Sequence, residues 1–481
     1  MDINQNIFKS YDIRGIYPAE INEKTAQYIA QAFINLISAK LTKPISELKI
    51  IVGRDNRVAS EPLIKAAIEV LLNNGAKVED LGLVSTNDYY FALGFYKYDG
   101  GMMATASHNP PEYGGFKMAA LDTKIENSFE FISGKELLIE VEKIKSLPEF
   151  AETRGEPVKK DIFADHLKHI FSFVDLAKIK PFKIVADTGG GMTGLMIPKI
   201  FEKLPGELVH IFGELDSAFA SRPPNPLTEG AWQKCSEKVL AEKADLGIMF
   251  DVDGDRLFLV DEKGNFIRGD MTLLLLAKSM LVKYPGLGIV YNLICSHSVK
   301  NLVAKWGGKP IRSEVGYMNL ARHMREQGGI MSGEVSGHFA FKNNFYSDNA
   351  FVALVLVLQT ISEDGRPLSE IIKDYDLYAK GPEINLRVEN ISEKLDQIRV
   401  FYQENILDEI DGITVEFNNS PKVDADASLQ GTHEVLSKAN TSWWFNVRAS
   451  NTEPLLRVTV EAGSQEELKK HQEEVLAVIN N

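Results

Sequence analysis

The sequence has few cysteines, no long apolar run and no excess of positive charge. Cys235 and Cys295 are the only cysteines in 481 residues, which excludes a disulfide framework and a C-x-x-C metal site. The longest apolar run, residues 350–358, is too short to cross a bilayer. The formal net charge of −14 disfavours non-specific binding to nucleic acid. We therefore expect neither a membrane nor a nucleic-acid partner.

The first residues also lack the basic patch and apolar run that form a secretory signal peptide. Together with the scarcity of cysteine, this favours a reducing, cytoplasmic location. The acidic balance does not exclude an anionic ligand, because a cleft can be locally basic on an acidic protein.

A short apolar run, a polar turn and an amphipathic stretch recur three times, beginning at residues 49, 183 and 288. After the first run, for example, apolar residues between 63 and 71 share one helical face. A strand, a turn and then a helix is the pattern of α/β units. We therefore predict three similar α/β domains.

The last hundred residues have a different pattern. Strand-like runs lie at 383–389, 412–417 and 455–461, and a helical stretch lies at 464–479. These features predict a smaller α+β domain. The predicted domains span residues 1–150, 151–260, 261–380 and 381–481.

The first candidate motif is Thr105-Ala-Ser-His-Asn-Pro110, which follows small residues at 100–104. Small residues permit a tight loop, and the Asn-Pro pair restricts how the loop ends. A serine hydroxyl becomes a useful nucleophile when neighbours orient it and absorb charge. Ser107 has His108 beside it and Lys117 shortly after it. Taken alone, the motif also fits an ordinary polar turn.

The second motif, Asp251-Val-Asp-Gly-Asp-Arg256, follows an apolar strand-like run. Three carboxylates at alternate positions repel one another unless a cation holds them, and Mg²⁺ prefers such oxygen ligands. Gly254 permits the tight loop, and Arg256 can pair with a phosphate or a carboxylate. A solvated acidic turn and a calcium loop of the EF-hand type are the alternatives. The latter has its glycine at a different place and helical flanks.

The third motif is Gly333-Glu-Val-Ser-Gly-His338. Glu334, Ser336 and His338 alternate, so in an extended segment they project from one side. A carboxylate, a hydroxyl and an imidazole suit the neighbouring hydroxyls of a sugar. A capped turn with a core histidine explains the motif equally well.

The fourth motif is Arg448-Ala-Ser-Asn-Thr-Glu-Pro454, with Arg457 after it. Arg448, Ser450, Asn451, Thr452 and Arg457 supply guanidinium, hydroxyl and backbone N–H donors. Such donors can surround a phosphate, although a polar β-turn is the simpler alternative. The four motifs lie in four quarters of the chain, so we expect one site in a cleft between domains.

With these motifs in this order, the chain resembles the α-D-phosphohexomutase family. The 105–110 segment is similar to the family's phosphoserine loop, and 251–256 to its metal loop. Segment 333–338 is similar to its sugar-binding loop, and 448–454 to its phosphate-binding loop. The opening, Phe8-Lys-Ser-Tyr-Asp-Ile-Arg-Gly15, resembles the family's N-terminal signature, in which the residue matching Arg14 supports the phosphoserine.

The resemblance implies three α/β domains with mixed sheets, a C-terminal domain like the TATA-binding protein, and an active site in the central cleft. It implies phosphoryl transfer between O1 and O6 of a hexose phosphate, of glucose or mannose, through a hexose 1,6-bisphosphate. Ser107 would carry the phosphate and, with Asp251, Asp253 and Asp255, bind Mg²⁺.

The resemblance also assigns the remaining roles. Arg14, His108, Lys117, Arg256 and His338 would serve catalysis, with Lys117 and His338 as candidates for proton transfer. The 334–336 segment would bind the sugar, and the 448–457 segment its phosphate. We expect a monomer or a homodimer.

Two positions depart from the pattern of members that act on both mannose and glucose. Ile294 replaces a usual lysine, and Tyr317 replaces a usual histidine, which leaves the preferred hexose open. A phosphoglucosamine mutase and a non-catalytic sugar-phosphate-binding paralogue are alternatives. A third is a phosphotransferase of the haloacid dehalogenase type with Asp251 as nucleophile, although that motif normally follows the first strand.

Overall fold

The architecture is described by a computed structural model, which covers residues 3–148, 155–417, 442–450 and 455–480. The strands of these residues form four sheets, each built from one consecutive stretch of the chain. We call these stretches unit 1 (to residue 159), unit 2 (160–267), unit 3 (268–378) and unit 4 (379–480).

The helices and strands have the following bounds. Unit 1 has β1 Ile13–Ile16, α1 Glu23–Leu41, β2 Lys49–Arg54, α2 Ser60–Asn73, β3 Lys77–Leu83, α3 Thr86–Phe95, β4 Gly100–Ala104, β5 Tyr113–Leu121, β6 Phe129–Ile132, α4 Gly134–Glu142 and β7 Val158–Lys159. Unit 2 has α5 Phe163–Phe171, β8 Phe182–Asp187, α6 Ile197–Phe201, β9 Gly206–Ile211, α7 Gln233–Glu242, β10 Leu246–Phe250, β11 Leu257–Asp261 and β12 Phe266–Ile267.

Unit 3 has α8 Gly269–Lys283, β13 Gly288–Asn292, α9 His297–Lys305, β14 Lys309–Ser313, α10 Tyr317–Gln327, β15 Gly329–Gly333, β16 Phe339–Phe341, β17 Ser347–Asp348, α11 Ala350–Asp364 and α12 Leu368–Tyr375. Unit 4 has β18 Ala379–Lys380, β19 Ile384–Leu386, α13 Ile391–Phe401, β20 Ile406–Asp408, β21 Ile413–Phe417, β22 Trp443–Ala449, β23 Leu456–Ala462 and α14 Gln465–Asn480.

Units 1 to 3 contain the same four-stranded arrangement. Its strands run in the order β3-β2-β4-β5 in unit 1, β9-β8-β10-β11 in unit 2 and β14-β13-β15-β16 in unit 3. In each unit the first three strands are parallel and the fourth is antiparallel. This repetition confirms the prediction of three similar α/β domains with mixed sheets.

Unit 4 has a sheet whose described strands all pair antiparallel, in the order β18-β23-β22-β21-β20. The helices α13 and α14 bury apolar residues against this sheet. The predicted α+β character of the last domain is confirmed.

The topology places three of the four sequence motifs at equivalent points. In units 1 to 3 each motif occupies the hairpin after the third parallel strand, between β4 and β5, β10 and β11, or β15 and β16. The strands β4, β10 and β15 are buried at every residue. The described residues of the fourth motif, 448–450, lie at the end of β22. Loops at the carboxyl ends of buried strands are where α/β sheets place their ligand sites.

Helix α11 explains the apolar run at 350–358. Its residues from Ala350 to Leu358 are buried in one hydrophobic core that draws on both unit 2 and unit 3. A helix that is apolar on all sides is stable only when it is surrounded. Among the described residues, no helix has both the length and the apolar character needed to span a membrane.

Candidate active site

Ser107 lies in a constrained loop directly after β4. Its side chain is buried, and its φ of +51° is in the left-handed region that non-glycine residues avoid. The Ser107 N–H donates to Thr105 Oγ1 at 2.9 Å. Its hydroxyl lies 3.1 Å from His108 Nδ1. The loop therefore presents the hydroxyl in one fixed direction.

A chain of hydrogen bonds leads from His108 through unit 2 to unit 3. Arg256 donates from Nη2 to His108 Nδ1 at 2.8 Å and from Nε to His338 Nε2 at 3.0 Å. The opposite nitrogen of His338, Nδ1, then donates to Asp348 Oδ2 at 3.1 Å. Burial, followed by the charge of Arg256, lowers the pKa of His108 well below its usual range. His108 is therefore a neutral imidazole whose Nδ1 accepts hydrogen bonds.

Asp251, Asp253 and Asp255 form a buried cluster in the unit 2 hairpin. One oxygen of each lies within 4.8 Å of the others. Each also has a carboxylate oxygen without a hydrogen-bond partner among the described residues. Burial, followed by the charges of the other two carboxylates, raises the pKa of Asp251 well above its usual range. Three converging carboxylates with unsatisfied oxygens fit the ligand preference of Mg²⁺.

Lys117, on β5 of unit 1, connects this cluster to the Ser107 loop. Its ammonium donates to Asp253 Oδ2 at 2.6 Å and to Asp255 Oδ2. Burial alone would lower the pKa of Lys117, but the charges of the two carboxylates outweigh this effect and raise the pKa. The same ammonium lowers the pKa of Asp253 in spite of burial. Lys117 is therefore charged and bridges units 1 and 2.

Arg14 supports the Ser107 loop from β1. Its guanidinium pairs with Asp12 at 2.6 Å and donates from Nη1 to Asn109 Oδ1 at 2.6 Å. Burial alone would lower the pKa of Arg14, but the charge of Asp12 outweighs this effect and raises the pKa. The N-terminal segment thus reaches the loop that carries Ser107.

The unit 3 hairpin is a turn, so the expectation of an extended segment is wrong. The Gly337 N–H donates to the Glu334 carbonyl at 3.1 Å, which directs Glu334 and His338 to different neighbours. The buried Glu334 accepts at Oε1 from the Gly316 N–H at 2.8 Å and from Asn292 Nδ2 at 3.1 Å. Ser336 is half-buried at the tip of the turn.

The two positions that depart from the family pattern both lie near this turn. Ile294 is buried just after β13. The ring of Tyr317 stacks on His338 with centroids 5.6 Å apart and meets Phe131 edge-on at 5.0 Å. Burial raises the pKa of Tyr317, so its phenol is neutral where the site is otherwise rich in charge.

In unit 4, Arg448 and Arg457 face each other across the β22–β23 pair. Both donate to Glu383, from Arg448 Nη2 at 2.9 Å and from Arg457 Nη1 at 3.2 Å. The Ser450 N–H donates to the Leu455 carbonyl at 2.8 Å and closes the hairpin. Asn451 and Thr452 lie outside the described residues.

Two residues of unit 1 bind the 251–256 loop of unit 2, and neither was a candidate from the sequence. At the start of α3, Thr86 donates from its hydroxyl to Asp253 Oδ2 at 2.7 Å and from its N–H to the Asp253 carbonyl at 2.9 Å. Asn87 donates to the Gly254 carbonyl. These partners are 167 residues apart, so no local pattern in the sequence indicates the contact.

The four units match four successive domain descriptions of one family. They are Phosphoglucomutase/phosphomannomutase alpha/beta/alpha domain I at residues 5–131, domain II at 161–264, domain III at 268–378 and the C-terminal domain at 383–478. The chain belongs to this phosphoglucomutase/phosphomannomutase family. The predicted family and fold are therefore confirmed.

Relatives within the family match over nearly the whole chain. The phosphomannomutase of Methanocaldococcus jannaschii is 33% identical, over 98% of this chain and 97% of its own length. The phosphomannomutase/phosphoglucomutase of Pseudomonas aeruginosa is 31% identical, over 97% and 93%. The crystal structure of a phosphoglucomutase/phosphomannomutase family protein from Burkholderia thailandensis superposes with a TM-score of 0.82 at 27% identity, covering 99% and 97%.

Proposed function

We propose that this chain is a phosphohexomutase that moves a phosphoryl group between O1 and O6 of a hexose, with Ser107 as the carrier. The observation that carries the proposal is the convergence of three hairpins. The buried Ser107 hydroxyl contacts His108, which Arg256 links to His338, while Lys117 of the neighbouring strand bonds to two of the three carboxylates. Phosphoryl transfer depends mainly on such positioning and charge neutralisation.

The reaction has two balanced steps. A phosphate on Ser107 Oγ passes to the free hydroxyl of a hexose monophosphate: the Oγ–P bond breaks, a sugar O–P bond forms, and the hydroxyl proton returns to Oγ. The bisphosphate then turns in the cleft and gives its other phosphate back to Ser107. Arg14, Arg256 and Lys117 surround the loop with positive charge that stabilises the transferring group.

Asp251, Asp253 and Asp255 would hold Mg²⁺, with Ser107 as a further ligand. When bound, the ion would neutralise phosphate charge and orient its oxygens. The support from this chain is the set of buried carboxylate oxygens that have no hydrogen-bond partner among the described residues.

Lys117 is the better of the two candidates for proton transfer. Both nitrogens of His338 are engaged, one by Arg256 and the other by Asp348. The Lys117 ammonium has three N–H donors, and Asp253 and Asp255 take two of them. In this proposal Lys117 gives its third proton to Oγ as the Oγ–P bond breaks and takes up the proton of the sugar hydroxyl, so that it ends each step protonated.

Substrate contacts come from units 3 and 4 in this proposal. Glu334 and Ser336 accept sugar hydroxyls, and the 448–457 segment binds the phosphate that is not reacting. Because the bisphosphate must bind in two orientations, these contacts must serve either end of the sugar. With the neutral Tyr317 and the buried Ile294 in place of the usual polar residues, we expect the chain to convert glucose phosphates at least as efficiently as mannose phosphates.

A substrate panel tests the proposal. Purified protein would be given the 1-phosphates of glucose, mannose, glucosamine and N-acetylglucosamine, with Mg²⁺ and the matching 1,6-bisphosphate. We expect wild-type protein to form glucose 6-phosphate and mannose 6-phosphate. The Ser107→Ala variant should form neither product. Ser362→Ala is the matched control, because Ser362 is a buried serine of α11 whose hydroxyl bonds to Leu358 and Lys180 and to no motif residue.

Other outcomes would replace this proposal with a named alternative. Turnover of glucosamine phosphate alone would make the chain a phosphoglucosamine mutase. Release of inorganic phosphate that survives Ser107→Ala but not Asp251→Asn would support the haloacid dehalogenase type. Binding without turnover would support the non-catalytic paralogue. The cytoplasmic location, the monomeric or dimeric state and the predicted domain boundaries remain predictions.

A further inference from the structure

We propose that Arg57 is a positioning residue that fixes the Ser107 loop in its reactive conformation, together with Phe219 of unit 2. Arg57 follows the Gly-Arg-Asp55 end of β2, a segment that the proposed function leaves without a role. This inference rests on the proposed function, because it concerns the geometry of the phosphate carrier.

The loop needs an external support. Ser107 has a left-handed φ of +51°, which for a non-glycine residue costs about 1–2 kcal/mol. Such a conformation persists only where the surrounding structure holds it in place. The internal hydrogen bond to Thr105 restrains only the entrance of the loop.

Arg57 binds those carbonyls directly. Its buried guanidinium donates from Nη2 to the carbonyls of Ser107 at 2.5 Å and Asn109 at 2.7 Å, and from Nη1 to that of Pro110 at 2.6 Å. No other side chain among the described residues donates to these three carbonyls. The planar guanidinium has several N–H donors in fixed directions and can bond to all three carbonyls at once. A lysine ammonium does not have this geometry.

The guanidinium is itself held on two sides. Its Nε donates to Asp55 Oδ2 at 3.2 Å, and Ser60 donates to the other oxygen of Asp55 at 2.5 Å. The ring of Phe219 lies 5.0 Å from the Arg57 Cζ and is buried. Nearby, Asn56 Nδ2 donates to the Gly190 carbonyl at 2.8 Å. Unit 2 thus contributes contacts both to Arg57 and to its neighbour Asn56.

Arg57 makes no described hydrogen bond with the three carboxylates or with the predicted sugar- and phosphate-binding residues, and it contacts Ser107 only at the main-chain carbonyl. Its loss should therefore change the direction of the Ser107 hydroxyl more than it changes sugar binding or Mg²⁺ binding by the three carboxylates. Misplacing a reacting group by about 1 Å costs about 100-fold in rate. We expect Arg57→Lys to lower the single-turnover rate of phosphoryl transfer from phosphorylated Ser107 about 10- to 100-fold, with KM and Mg²⁺ affinity changed less than about threefold.

The experiment measures this rate by rapid quench, using protein phosphorylated with glucose 1,6-bisphosphate and chased with glucose 1-phosphate. Arg54→Lys is the matched control, because Arg54 is half-buried and pairs with the exposed Glu61 at 3.0 Å. If Arg57→Lys does not fold, Phe219→Leu is measured instead, with an expected loss of about three- to tenfold.

The outcomes separate this inference from the proposed function. A wild type that neither accepts phosphate on Ser107 nor turns over sugar phosphate would end the proposed function. An active wild type with an unchanged single-turnover rate in the folded Arg57 variant, or in Phe219→Leu, would end the inference alone. A lower melting temperature with an unchanged rate per phosphorylated molecule would assign Arg57 a purely structural role and also overturn it.

Discussion

Replacing Asp251 by asparagine should stabilise the metal-free protein while it weakens Mg²⁺ binding. In the cluster each carboxylate has an oxygen within 4.8 Å of the other two. At an effective dielectric constant of about 20, one such pair repels by about 3.5 kcal/mol, and the two pairs of Asp251 by about 7 kcal/mol. Arg256 Nε lies 3.3 Å from Asp251 Oδ2, an attraction of about 5 kcal/mol on the same scale.

The two repulsions exceed this attraction by about 2 kcal/mol. The charge of Lys117, which also favours the ionised Asp251, reduces that excess, so we expect the amide to cost the metal-free protein no stability. Asparagine keeps the shape of aspartate and can still accept the Arg256 N–H bond that Oδ1 now receives at 3.2 Å. The raised pKa of Asp251 agrees with this sign, because burial and its neighbours disfavour the charged form. A bound cation reverses the balance, since it needs the charge that asparagine lacks.

The assay is thermal unfolding in excess EDTA and in saturating Mg²⁺. We expect Asp251→Asn to melt no lower than wild type in EDTA, and to lose the rise that Mg²⁺ produces in wild type by mass action. Asp270→Asn is the matched control. Asp270 is equally buried but pairs with Arg268 at 3.1 Å, so its variant should melt lower in both conditions and keep the Mg²⁺ response. Destabilisation of Asp251→Asn in EDTA, with no Mg²⁺ effect on wild type, would refute the reasoning.

Three further predictions concern single side chains. Glu334→Gln should change the ratio of kcat/KM between glucose and mannose phosphates, and an unchanged ratio would contradict sugar recognition by this residue. Arg448→Ala should lower kcat/KM about 10- to 100-fold for every sugar phosphate, because a charge-assisted hydrogen bond to phosphate is lost, whereas Arg399→Ala on the surface should not. Thr86→Val removes the hydroxyl donor to Asp253 and should weaken Mg²⁺ binding about 10- to 100-fold, measured by activation at varied Mg²⁺. Equal Mg²⁺ affinity would make that contact merely structural.

Much of the fold could be predicted because its signals are local. The helical face expected between residues 63 and 71 lies on α2, Ser60–Asn73, and the strand expected at 412–417 is β21, Ile413–Phe417. The helix expected at 464–479 is α14, Gln465–Asn480. Apolar periodicity determines such elements over a few residues.

The support of the site could not be predicted in the same way. Thr86 and Asp253 meet only after units 1 and 2 have packed together. Arg57 and the Ser107 loop both belong to unit 1, but they are 50 residues apart and meet only once that unit has folded. Their residue types are unremarkable polar ones at element ends. In the unit 3 motif only the extended conformation was wrong. Alternation of polar residues indicates an extended segment, but Gly337, with φ of +86°, permits a turn instead.

The most direct test of the account is to locate the phosphate on the enzyme. Protein incubated with glucose 1,6-bisphosphate and Mg²⁺ would be quenched, digested and mapped by mass spectrometry. We expect one phosphate, on Ser107, which a chase with glucose 1-phosphate removes at a rate no slower than turnover. Phosphate on Asp251, or a Ser107 phosphate that the chase leaves in place, would contradict it.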